Sequence, residues 1–452
     1  MIVTGADVSN AFAEAPAPDE PLYILPDDVF RDWWLNHKGR EPIPAGWVCR
    51  VNYALQGHPE APRLWERHID QILIKIGLKP TTHEPCLYSA IIQGEYILFL
   101  RQVDDFALAT SNPESAKTLI SKIDGHMGIN IKHLGLLNLF NGMDILQTKY
   151  YIKIYCATYL AKIRNNHNWS PPMHSSSQPL PYPVDNAYTK ELDTAIPPQT
   201  DEERQQLERK YNFKFRSLIG EIIWPMIKCR PEISFHITKL SQSLANPADA
   251  HFHALQQVLN FLLQTSDEGI YYWRDTPRND LPEHPFPTIP PDNHTLEMDP
   301  SQFDALMAAF SDSDWAACRK TRNSITGWLI LLAGAAIAYK TRFQNTIAHS
   351  SMDAGWLAAC DVGKVILYYR SLLEELGIPQ YDATVLYEDN RGAFFMANAQ
   401  QTTSRTRHID IREFALVDWV EQDLLFYRHN TTILGKRIPN HMRKYMKPSG
   451  TK

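Results

Sequence analysis

The sequence predicts an α+β protein in several parts, and three observations support this. Short runs rich in β-branched and aromatic residues alternate with helical apolar stripes, proline-rich stretches interrupt the pattern, and acids stand where strands should end. A chain of 452 residues with 44% hydrophobic content holds enough apolar material for about two to four domains.

The stretches "PPMHSSSQPLPYPVD" (171–185) and "TPRNDLPEHPFPTIPPDNHTLEMDP" (276–300) suit neither a helix nor a central strand, so they mark divisions. Residues 1–170 read as α+β. There "TGADVSNAF" (4–12) ends a short strand at Asp7, and "PRLWERHIDQILIKIG" presents Leu64, Ile69, Ile72, Leu73 and Ile76 on one helical face. Tyr96–Val103 and Phe106–Ala109 read as the arms of a hairpin turning at Asp104 and Asp105. Residues 171–275 are largely helical, with Ala254, Leu255, Val258, Leu259 and Leu262 as a packing stripe. After a linker at 276–304, residues 305–430 begin with strand candidates near Met307, at Ser324–Leu332 and at Ala335–Tyr339. A long helix follows, capped by Ser350 or Ser351 and ended by Gly377 and Pro379; "ATVLY" (383–387) then leads to an acidic turn and a helix. That order suggests a mixed α/β sheet.

A net charge of −6 gives no global attraction to phosphate, so nucleic-acid contact would need local basic surface. The tail 431–452 carries Lys436, Arg437, Arg443, Lys444, Lys447 and Lys452, which suits either a phosphate-contacting arm or a solvated terminus. The six cysteines stand singly, without zinc-ligand spacing, as reduced thiols would. No secretory signal is visible, and the longest apolar run (327–339) is too short to span a bilayer. A cytoplasmic or nuclear location, without membrane partners, is expected.

Adjacent Asp104 and Asp105 repel each other, and burial raises the cost of ionising both unless a cation compensates. A solvated turn is the plain reading; a metal site is the sharper one. Two-metal phosphoryl transfer needs several carboxylates at one point, and Asp7 is a third acid at a strand end. The series "DVSNAF", "LQGHPEAPRLW" (55–65), "QVDDFALAT" and "HLGLLNLFNGMDI" (133–145) resembles the reverse transcriptase of copia-type retrotransposons. So does "RSLIGEIIWPMIKCRPEISFHITKLSQSLANP" (216–247), similar to the segment joining that polymerase to its ribonuclease H.

The resemblance implies a reverse-transcriptase palm, a helical thumb and connection, and an α/β ribonuclease H-like domain. It implies Asp7, Asp104 and Asp105 as ligands for two Mg²⁺ or Mn²⁺, Phe12 as the aromatic gate under the sugar, and Gln56 as a contact to the incoming deoxynucleotide. The partners would be an RNA/DNA template-primer, an RNA–DNA hybrid and remaining parts of a polyprotein. Gln102, Pro59 and Glu60 depart from the family pattern, and with Met1 only six residues before Asp7 the fingers are expected to be truncated.

In "AAFSDSDWAAC" (308–318), "VLYEDNRGA" (385–393) and "SRTRHIDIREF" (404–414), Asp312, Asp389 and Asp410 match three ribonuclease H metal ligands, and His408 matches the adjacent catalytic histidine. The fourth ligand, a glutamate in the relatives' "SSTEAEY", aligns with Gly355 in "SSMDAGW" (350–356). Asp353 lies two helical residues away, a rotation of about 200°, and should point elsewhere. The hydrolytic site is therefore expected to be impaired. The competing readings are a non-catalytic nucleic-acid-binding or decayed protein, and a metal-dependent nuclease acting through the last domain alone.

Overall fold

The computed structural model describes residues 1–129, 131–170, 186–274, 306–318, 321–397 and 415–429. The chain divides into two compact units, 1–137 and 138–452.

In the first unit, alternation of apolar residues builds an antiparallel meander of Leu87–Ile92, Glu95–Gln102 and Asp105–Thr110. Its first turn, Gln93–Gly94, has φ of 56° and 82°, the positive values that two-residue hairpins favour. Ile2–Asp7 joins antiparallel beside Asp105–Thr110, and the six strands lie in the order Lys79–Pro80, Leu87–Ile92, Glu95–Gln102, Asp105–Thr110, Ile2–Asp7, Lys132–Leu136.

Helices Ala61–Lys75 and Pro113–Met127 form one core with this sheet. Their buried Ala61, Trp65, Ile69, Leu73, Leu119 and Ile123 meet Tyr88, Phe99, Phe106 and Leu108. Each large side chain fully buried there contributes roughly 1.5–3 kcal/mol. The expected helical stripe is present, with Leu64 and Ile76 packing at its margin, but Trp65 is its largest member.

In the second unit, Tyr151–Tyr155 pairs with Gly269–Trp273, so the strands just after residue 137 join the helical region. A four-stranded sheet runs in the order Gly269–Trp273, Tyr151–Tyr155, Met143–Gln147, Leu139–Phe140. Gly269 permits it, because a Cβ there would lie 2.2 Å from the Ile154 carbonyl oxygen. The expected stripe Ala254, Leu255, Val258, Leu259 and Leu262 is buried on helix Asp249–Gln264, against Phe215, Leu218 and Ile222 of helix Phe215–Lys228.

The last sheet is mixed, in the order Ala335–Phe343, Ile325–Leu332, Met307–Asp314, Thr384–Glu388, Leu425–His429. The first three strands are antiparallel, whereas Thr384–Glu388 lies parallel to both of its neighbours. Helix Ser351–Glu375 packs Trp356, Ala359, Val362 and Ile366 against Ala309, Ile330 and Leu386. It starts at Ser350, whose hydroxyl accepts from the Asp353 N–H at 3.1 Å, and is followed by Gly377 at φ 72°. No helix among the described residues is long and apolar enough to cross a membrane, and all six cysteines are free thiols.

Candidate functional site

The first carboxylates meet through strand register. Asp7 lies directly opposite Asp105, and the Val8 N–H donates to the Asp104 carbonyl at 3.0 Å. Because side chains alternate along a strand, Phe106 and Ala6 turn into the core while Asp105 and Asp7 share the opposite face. The hairpin turns at Val103–Asp104, with Asp105 already in the strand, one residue earlier than expected.

Val103 has φ of 58°, an unfavourable value for a β-branched residue. Its carbonyl accepts from the buried Trp65 indole N–H at 2.8 Å, so the "PRLW" helix anchors the aspartate turn. Asp104 is exposed and Asp105 half-buried. Burial, then the charges of Asp104 and Asp7, raise the Asp105 carboxyl above the usual range. Like charges facing across a ladder are destabilising, and a cation would relieve them.

Phe12 lies on the short helix Ala11–Glu14, half-buried against the core. Ala54 N–H donates to the Ala15 carbonyl at 2.9 Å, joining the end of that helix to the segment before Gln56. Gln56 itself is exposed, on the turn through Gly57. Glu60 is engaged by Arg63 at 2.6 Å.

In the second unit, Asp312 lies within its strand, not after it, because pairing with Gly327 continues the ladder to Asp314. Parallel pairing sets Phe310 beside Tyr387, two residues before Asp312 and Asp389 respectively in sequence. A third carboxylate joins them. Oxygens of Asp312, Glu388 and Asp389 lie within 4.8 Å of one another. Burial and then Asp389 push the Asp312 carboxyl up to about 7. Glu388 is fully buried, and burial above all holds its carboxyl well above the usual range, against an opposing hydrogen bond from the Ser311 hydroxyl to Oε2.

Glu388 was not among the sequence candidates, although its alternation with the buried Thr384 and Leu386 signals an inward-facing acid. Asp353 serves the helix start, where its Oδ2 accepts from the His349 N–H at 3.1 Å. His408, Asp410, the whole 276–304 linker and the tail 431–452 lie outside the described residues.

Residues 2–174 match the family model described as Reverse transcriptase (RNA-dependent DNA polymerase). The chain is 24% identical over 424 residues to the Retrovirus-related Pol polyprotein from transposon TNT 1-94 of Nicotiana tabacum, covering 93% of this chain and 28% of that one. It is 24% identical over 429 residues to the corresponding polyprotein from transposon RE2 of Arabidopsis thaliana, covering 94% and 25%. Among solved structures, the foamy viral protease-reverse transcriptase in complex with dsDNA is similar at 11% identity and a TM-score of 0.42, over 96% of this chain and 68% of that chain.

A reverse transcriptase domain, in a fold of mixed helix and sheet, is therefore what the first part of this chain contains. Over most of its length the chain is similar to the Pol polyproteins of copia-type transposons, and it spans about a quarter of the length of the curated relatives just named. The comparisons do not favour the non-catalytic alternative.

Proposed function

We propose that the first unit carries out template-directed DNA synthesis and that the last sheet carries a ribonuclease H-like hydrolytic site. The observation that carries the first half is the Asp7–Asp105 register beside Asp104, inside the matched residues 2–174. Hard carboxylate oxygens suit Mg²⁺ or Mn²⁺, held by Asp7, Asp104 and Asp105 in one unit and by Asp312, Asp389 and Asp410 in the other. Such ions, when bound, polarise the phosphoryl group and favour the attacking oxygen.

The chain's own contribution is placement. The sheet fixes Asp7 against Asp105, Trp65 holds the turn that carries Asp104, and Phe12 stands as the gate that excludes a 2′-hydroxyl. Gln56 would touch the incoming deoxynucleotide, and His408 would serve beside Asp410. The partners are an RNA/DNA template-primer, an RNA–DNA hybrid and the rest of a polyprotein, in the cytoplasm or nucleus. In this reading a palm leads through a thumb and connection to the ribonuclease H-like domain at 305–430.

Primer extension on poly(rA)/oligo(dT) with Mg²⁺ or Mn²⁺ tests the reading. Incorporation that Asp104→Asn lowers by roughly 10²–10³-fold is expected. Binding of the duplex without incorporation would overturn it.

A further inference from the structure

The acid that the resemblance puts at residue 355 is missing, yet the space beside Gly355 holds a carboxylate. A Cβ built on Gly355 would stand 3.3 Å from Glu388 Oε1 and 3.1 Å from Asn390 Cβ. Glu388 is fully buried; its Oε2 accepts from Ser311, and its Oε1 has no hydrogen-bond partner among the described residues. A buried carboxylate oxygen without a donor is costly in a protein interior, more so with Asp312 and Asp389 at hand. Helix position 355 and the last residue of strand Thr384–Glu388 thus approach one small volume from opposite elements.

We propose that Glu388 joins Asp312 and Asp389 as the carboxylate that residue 355 does not supply, reaching from the strand into the room that Gly355 leaves on the helix. The centre would take a hard divalent cation, Mg²⁺ or Mn²⁺. The inference rests on the ribonuclease H-like reading of Asp312 and Asp389. It replaces the expectation of a crippled site with a relocated ligand, in which a side chain at 355 would crowd the glutamate at 388. Ser311 is then a positioning residue that holds one oxygen while leaving the other for the ion.

The test is Mn²⁺ binding to the full chain, followed by electron paramagnetic resonance and by the melting shift on adding Mn²⁺, in an Asp105→Asn background that weakens the first centre. Glu388→Gln should weaken the remaining Mn²⁺ binding at least tenfold while the metal-free protein melts no lower, since the amide keeps the shape of a carboxyl that burial holds toward its neutral form. Gly355→Glu with Glu388→Ala should recover binding to within a few-fold, returning the carboxylate to the helix.

Glu388→Gln leaving Mn²⁺ binding intact while Asp312→Asn removes it would overturn the role of Glu388 alone. Binding intact in both variants would instead overturn the reading of this cluster as a metal centre. Should Glu388→Gln melt much lower without metal, Glu388→Ser with the same binding assay decides: binding kept means that Glu388 only packs.

Discussion

The two carboxylate centres solve one electrostatic problem in opposite ways. Asp7, Asp104 and Asp105 sit at a strand end and a hairpin turn, with Asp104 in solvent and the core on the other face of the sheet. Asp312, Glu388 and Asp389 converge inside the last domain, where a fully buried Glu388 raises the cost of every added charge. An open centre lets water screen its acids. A buried one needs a cation more urgently and tolerates displacement of its ligands less. Clustered like charges are thus made tolerable by exposure in one place and by protonation or metal in the other.

The contrast is most exposed to refutation at the open centre. Asp7→Asn should cut incorporation by roughly 10³-fold while the melting temperature holds or rises, because a like charge facing Asp105 has gone. A fall in melting temperature to match the fall in activity would make Asp7 a structural acid, and thermal melts beside primer extension distinguish the two.

A smaller effect reports on how the open centre is held. Trp65→Phe keeps an aromatic ring but loses the 2.8 Å bond to the Val103 carbonyl, and should cost about 1 kcal/mol in urea unfolding. Incorporation should fall further than that loss implies, since a Val103 turn at positive φ relaxes once released. On the buried side, Ser350→Ala removes the cap over the Asp353 N–H at the start of the helix that carries Gly355, again about 1 kcal/mol, with incorporation unchanged.

Much of this is legible in the sequence, for physical reasons. Period-2 alternation around "QVDDFALAT" and the strand-end position of Asp7 announce the open centre, because strand geometry converts sequence parity directly into a shared face. Helical spacing likewise reveals the stripe on Asp249–Gln264. Trp65 stays hidden because an indole in an apolar stripe looks like packing until its N–H finds a distant carbonyl. Glu388 is overlooked for a related reason: beside Asp389 it reads as part of the turn, although its alternation with Thr384 and Leu386 places it on the buried face. The vacancy at Gly355 is plain in the sequence, but what faces it depends on tertiary packing.

A further effect is one of pH, away from both centres. Burial lowers the ring of His236, on helix Ser234–Ser241, to about 3 from an ordinary 6.5. The unfolded chain therefore binds the extra proton between those values. The contribution is fully present above about pH 6.5 and is lost as pH falls below it, by at most about 1.4 kcal/mol per pH unit. Urea unfolding at pH 7 and pH 5 should show that slope, and His236→Gln should flatten it; an unchanged slope would assign the acid limb to other groups.

The most direct test of two independent centres is incorporation on poly(rA)/oligo(dT) measured side by side for Asp105→Asn and Asp312→Asn. The first variant should lose incorporation while the second retains it within about twofold, because Asp312 makes no contact in the transition state of synthesis. Incorporation surviving Asp105→Asn, or lost equally in Asp312→Asn, would contradict that independence.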